Sequence, residues 1–189
     1  MKSKWMYVYA FPIVVSVGVG IGVLCFLLPT NNGTQRSKLV DCGSDLRLLG
    51  MALDEYAADN EGAFPNDFET IVEYAHHINL LICPSADPEV FSVGRDWSRI
   101  APTNTCRYYV AGGSDESRTA DQVQMFCPPE LHKGRGGNIL FMGGYVKWFF
   151  VESDEEETFW AELQSSGITP EMVAAATNKI IHVDDLKLD

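Results

Sequence analysis

The sequence predicts an α+β fold: a long N-terminal helix in two parts, membrane span plus amphipathic half, packed on a small antiparallel sheet, with helices at the C-terminal end. Three observations carry this. Residues 5–28 are apolar and uncharged, and residues 37–60 continue with apolar side chains at helical spacing. Between residues 107 and 150 four β-rich segments are separated by glycine-containing turns. Beyond residue 151, helix-capping signals return.

The first element is the run WMYVYAFPIVVSVGVGIGVLCFLL. At about 24 residues it exceeds the roughly 20 that a helix needs to cross a bilayer core. Lys2 and Lys4 precede it, as in a signal peptide, but the run is long for one and no small-residue cleavage pair follows. It is therefore read as a retained anchor. The two N-terminal lysines keep the short tail inside, and all 26 acidic residues lie beyond position 40. The expected layout is a cytoplasmic tail at 1–4, a transmembrane helix at 5–28, a joint at 29–36, an extracytoplasmic body at 37–150 and a helical extension at 151–189. Ser16, Gly18, Gly20 and Gly22 form a small-residue stripe, and Gly18 with Gly22 makes a GxxxG pair through which two such helices can touch.

Residues 29–33 (PTNNG) read as the joint. In the helix that follows, Leu39, Cys42, Leu46, Leu49, Leu53 and Tyr56 alternate at spacings of three and four, a narrow seam for one sheet or one helix. Gly62 supplies the stop. Asn66 or Asp67 caps a second helix, with Glu69 placed for a capping box. His76 and His77 close it as solvent or dipole partners. Residues 107–111 read as a strand, and 122–127, alternating with period two, as a half-buried strand. Residues 138–142 and 145–150 flank Gly143-Gly144 and read as a hairpin with a two-residue turn. Ser153 with Glu156 is read as a capping box rather than part of an acidic calcium site. The helix it opens runs to about Gln164, and Thr169-Pro170 opens another. The tail from Ile180 to Asp189 shows no helical period and is expected to form a short strand or to stay loose.

About 160 residues remain after the anchor, enough for one domain with a core. From Ser37 onward there are eleven basic and 26 acidic residues, a balance of −15. That excludes nucleic acid as a partner, since phosphate contacts need clustered Lys and Arg. Cys42, Cys83, Cys106 and Cys127 lie outside the span. An extracytoplasmic body would permit disulfides among them, with three connectivities open, or would keep them as buried thiols. No C-x-x-C and no H-x-x-x-H spacing exists, so no metal site and no cofactor is expected. No nucleophile elbow or zincin motif occurs, and Gly134, Gly136 and Gly137 precede a strand rather than a helix, so no catalytic residue is assigned. His132 stands in a loop beside Glu130, Lys133 and Arg135 and is expected to make a turn hydrogen bond.

Three stretches resemble a known family. The first runs from Cys42 through Leu46, Gly50 and Tyr56 to Asn60, Gly62 and Pro65 and is similar to C-x-x-N-L-x-x-L-G-x-A-L-x-x-Y…D-N-x-G-x-F-P, with Asp45 in place of the asparagine. The second, Ile82-Cys83-Pro84-Ser85, resembles a C-P-S segment. The third carries Cys127, His132, Asn138, Phe141, Gly144 and Trp148 and resembles H…G-x-N-V-L-F-x-D-G-H-V-x-W, with Gly143-Gly144 where the family has D-G. Together they are similar to the type IV pilin-like and type II secretion pseudopilin family with a C-terminal H-x9-D-G motif. The prepilin processing motif G-F-T-L-I-E is missing, so the resemblance implies a pilin-like body on an uncleaved anchor. The expected function is non-enzymatic: a single-pass inner-membrane protein that assembles with other pilin-like or secretion proteins or with itself. The alternative is an anchored binding module for a small ligand or metal ion, using the His132 loop and nearby carboxylates.

Overall fold

The computed structural model describes residues 31–86, 105–152, 158–176, 179–183 and 186. The apolar run 5–28 with Gly18 and Gly22, and the acidic run 153–157, lie outside the described residues. Among those described, no helix is long and apolar enough to cross a membrane. The chain divides into two units, Met1–Gln35 and Arg36–Asp189, and the second holds the sheet and the core.

Helix α1 spans Asn31–Asp59. It begins inside the stretch expected to be a joint. Gly33 costs a helix only about 1 kcal/mol relative to alanine, too little to break it. Cys42, Leu46, Leu49 and Leu53 are fully buried as the seam predicts, and Ala52 and Ala57 join them. The seam lies on the sheet, in one apolar cluster with Tyr109, Ala111, Met125 and Leu140. Contact is closest at Gly50, where a Cβ would sit 3.2 Å from both Leu140 methyls. The Gly62 amide donates to the Ala57 carbonyl at 2.8 Å and ends the helix. Helix α2, Phe68–Ala75, is capped by Asp67, whose Oδ1 accepts from the Thr70 amide at 2.7 Å. Glu69 is thus one residue too early for a capping box.

The sheet contains β1 (Tyr108–Ala111), β2 (Val123–Cys127), β3 (Gly136–Phe141), β4 (Val146–Phe150) and β5 (Ile180–His182), in the order β4-β3-β2-β1-β5. The first four are antiparallel, as expected. β5 pairs parallel to β1, so the sheet is mixed rather than antiparallel. The reason is the path of the chain: helices α3 (Phe159–Ser165) and α4 (Pro170–Ala175) intervene between β4 and β5, so β5 joins the opposite edge instead of turning back as a hairpin.

Those helices also correct the expected burial of β2. All five of its residues are buried, not every second one. Met125 and Cys127 face the α1 side, while Phe126 joins Ile139, Phe141, Phe159, Leu163 and Ile168 in a second cluster on the other side. A sheet covered on both faces loses the polar half of its alternation. α3 starts later than Ser153 suggests: Thr158 is its cap, accepting from the Ala161 amide at 3.3 Å. Thr169 caps α4, with proline in the first turn, as expected. The β3–β4 loop is one residue longer than expected. Phe141 still accepts from the Gly144 amide at 2.9 Å and donates to the Tyr145 carbonyl at 3.0 Å, so Met142, Gly143 and Gly144 form the loop. Only Gly144, at φ +75°, needs the left-handed region.

Candidate metal centre

The three stretches that carry the resemblance meet at one point in the core. Cys42 lies on the inner face of α1. Cys83 follows the short 3-10 turn Ile78–Leu81. Cys127 ends β2, and His132 ends the 3-10 turn Pro129–His132 that follows. Pro128 and Pro129 fix φ and donate no amide hydrogen, which turns the chain out of the sheet at the end of β2. Lys133 at φ +61° and a bond from the Gly134 amide to the Pro129 carbonyl at 2.9 Å close that turn. The His132 ring is thereby brought back over the end of β2.

One ligand atom from each of Cys42, Cys83, Cys127 and His132 lies within 4.8 Å of every other. His132 Nε2 is 3.6 Å from Cys42 Sγ and 3.7 Å from Cys83 Sγ. The sulfurs are 0–1 % exposed and the imidazole 5 %. Trp148 packs edge-on against the ring, centroids 5.2 Å apart. The His132 Nδ1 is buried and has no hydrogen-bond partner among the described residues.

Arg107 lies against the cluster, fully buried. Its Nη1 donates to Cys42 Sγ at 2.9 Å, its Nε donates to the Leu80 carbonyl at 3.3 Å, and its Nη2 stands 3.5 Å from Asp45 in ion-pair rather than hydrogen-bond geometry. Burial pulls the guanidinium pKa down, but the surrounding sulfurs, Cys127 and Cys42 foremost, outweigh it and hold the group charged. Hydrogen bonds from Cys127 and Cys83, then His132 and the Arg107 charge, hold the Cys42 thiol far below its ordinary range against the cost of burial. Burial, followed by the bonds to Cys42 and Cys83, pushes Cys127 well up. These contacts thus favour the thiolate form at Cys42 over that at Cys127.

Cys106 stands apart. Its Sγ accepts from the Cys83 amide at 2.6 Å and donates to the Leu81 carbonyl at 3.4 Å, and burial raises its pKa. It shapes the turn that presents Cys83. All four of these cysteines are free thiols, so none of the three disulfide connectivities is formed.

No family model, curated protein or solved structure gives a significant match to this chain.

The site departs from sequence expectation at His132, which faces sulfur instead of making a turn bond, while Glu130, Lys133 and Arg135 are exposed and outside the cluster. His76 and His77 are exposed, as expected. The other motif positions support the frame. Asn60 Nδ2 donates to the Tyr56 carbonyl at 2.8 Å, the Pro65 carbonyl accepts from the Tyr109 hydroxyl at 2.8 Å, and Asn138 Nδ2 ties β3 to the Leu39 carbonyl at 3.2 Å. Spacing rules miss the cluster because its donors come from three separate stretches. The signal present in the sequence is Cys-Pro at 83–84 and 127–128, with His132 shortly after the second. Three sulfurs and one imidazole form a closed set of borderline-soft donors.

Proposed function

We propose that this chain is a non-enzymatic, single-pass membrane protein with its N-terminus inside, and that its pseudopilin-like extracytoplasmic body works by assembling with other proteins in a secretion or envelope system. The apolar run 5–28 and the three motif stretches support this reading. The observation that carries it is the outward face of α1. Val40, Leu48 and Met51 are 63, 48 and 61 % exposed there. Beside them, a cleft of about 640 Å³ between α1 and the β3–β4 hairpin is lined by Arg36, Arg47 and Arg135 together with Trp148 and Phe150. A chain of net charge −12 that gathers three of its 14 basic residues around one apolar cleft is complementary to an acidic protein surface, and a second copy of itself is the first candidate.

The test is cross-linking of the full chain in bacterial membranes, beside a variant with Arg47→Glu and Arg135→Glu. The expected result is a carbonate-resistant membrane protein with cross-linked species that the charge reversal abolishes. A full chain recovered in the soluble fraction, or cross-links indifferent to the reversal, would overturn the proposal.

A second reading, an anchored binding module for a small ligand or metal ion, is favoured by the buried Cys–His cluster alone.

A further inference from the structure

We propose that Cys42, Cys83, Cys127 and His132 hold one zinc ion as a closed structural centre that fastens α1, the Ile78–Leu81 turn, β2 and the Pro129–His132 turn to one another. This does not rest on the assembly reading and stands equally for a chain with no partner.

Geometry is the first support. A tetrahedral ion with Zn–S of about 2.3 Å and Zn–N of about 2.05 Å sets its sulfur and nitrogen ligands about 3.6 Å apart, and its sulfurs about 3.8 Å apart. Of the three sulfur–nitrogen separations here, those from Cys42 and Cys83 are 3.6 and 3.7 Å. No pair of the four atoms is further apart than 4.8 Å, so small side-chain adjustments close the set on one ion.

Donor chemistry is the second. Three thiolates and an imidazole in tetrahedral array suit zinc and exclude magnesium and calcium, which take oxygen ligands. No protein position is left open for water, the mark of a structural rather than a catalytic site.

The third support is what the cluster would be otherwise. Three thiols and an imidazole are an expensive filling for a core that leucine could pack. A disulfide would use two sulfurs and strand the third beside the imidazole, and all three are free. Buried at 0–1 % exposure, the sulfurs are out of reach for thiol exchange. An ion gives each of the three sulfurs and the His132 Nε2 a partner. It also accounts for Arg107: Zn²⁺ with three thiolates carries one negative charge, and the buried guanidinium that donates to Cys42 Sγ balances it.

Binding is balanced without redox chemistry. Each protonated thiol of the set loses its S–H bond, the proton passes to buffer, and a Zn–S bond takes its place, while zinc stays in the divalent state. His132 coordinates through the Nε2 lone pair, with its proton on Nδ1.

The test is elemental analysis of the full chain, purified in detergent without chelators. The expected result is about one zinc per chain, retained through gel filtration, whose removal by a strong chelator lowers Tm by about 10 °C or more. Cys42→Ser, Cys83→Ser, Cys127→Ser and His132→Ala are expected to lose the zinc. His77→Ala, exposed and outside the cluster, is expected to keep it. Because ligand variants can fail to fold, cobalt is exchanged into the unmutated chain as well: thiolate-to-cobalt charge transfer and intense tetrahedral d–d bands support the centre. Folded chain with less than a tenth of an equivalent of zinc, stoichiometric iron or copper in its place, zinc lost from His77→Ala, or a cobalt spectrum without thiolate bands would each overturn the proposal.

Discussion

Replacing Arg107 by methionine keeps the length and bulk of the side chain while removing its charge and its donors. The side chain is fully buried, and the change deletes the bonds to Cys42 Sγ and the Leu80 carbonyl and the ion pair with Asp45. Removing one partner of a buried charged pair costs about 3–5 kcal/mol. Asp45 remains 23 % exposed and can recover some hydration, which places the expected cost near the lower end, about 3 kcal/mol. For a body of this size that is a fall in Tm of about 6–12 °C, at about 2–4 °C per kcal/mol. Loss of a group that bonds a metal ligand is also expected to weaken metal affinity about 10- to 100-fold. Circular dichroism melts of the full chain in detergent and competition with a chromophoric chelator read the two effects separately. A Tm within about 2 °C of the unmutated chain together with unchanged metal affinity would refute the assigned role of Arg107.

Three further expectations follow from named contacts. Burial pushes the Asp45 carboxyl up to about 6 against the pull of Arg107. Its folded pKa is thus above its unfolded one, so its contribution to stability is full below the unfolded value of about 3.9 and is lost as pH rises through about 6. Denaturant titrations between those pH values should show a smaller fall in Asp45→Asn than in the unmutated chain, and equal slopes would count against it. In Gly137→Ala the new Cβ would lie 2.3 Å from the Cys127 carbonyl oxygen and 2.4 Å from the Phe159 ring, so β2 and β3 have to part beside the cluster. The expected outcome is a loss of about 3 kcal/mol or more, or no folded yield, read by urea unfolding. Tyr109→Phe leaves the Pro65 carbonyl without its 2.8 Å donor and is expected to cost about 1–2 kcal/mol with an unchanged m-value.

Much of the frame is legible in the sequence because single elements announce themselves locally. The α1 seam needs only helical spacing, and Leu46, Leu49 and Leu53 lie where that spacing puts them. Gly62 and Thr169 mark helix ends by backbone chemistry that depends on nearby residues alone. What is not legible depends on residues distant in the chain. The full burial of β2 follows from Phe159 and Leu163, which cover a face that a period-two pattern treats as open. Gly143 and Gly144 are alike in sequence, and only the register of β3 against β4 decides that Gly144 alone takes positive φ. Thr158 caps α3 where Phe159 and Leu163 anchor its first turns in the second core, a contact that only the folded chain supplies.

The site illustrates the same division. Each donor sits in a stretch that a resemblance singles out, yet nothing in the spacing of Cys42, Cys83 and Cys127 relates one to another. They meet because α1 crosses the sheet where β2 ends and because two proline-bearing turns, at Pro84 and at Pro128-Pro129, bring the other donors to that point. Asp45, where the resembling family has asparagine, is explained in the same way: it pairs with Arg107, the cation that the sulfurs require.

The most direct measurement is X-ray absorption at the zinc edge of the chelator-free full chain. Four donors converging on one ion predict three sulfurs at about 2.3 Å and one nitrogen at about 2.05 Å, with the outer-shell scattering of a single imidazole. A first shell of oxygen, two or more imidazoles, or four sulfurs would contradict the assignment of Cys42, Cys83, Cys127 and His132 as the set.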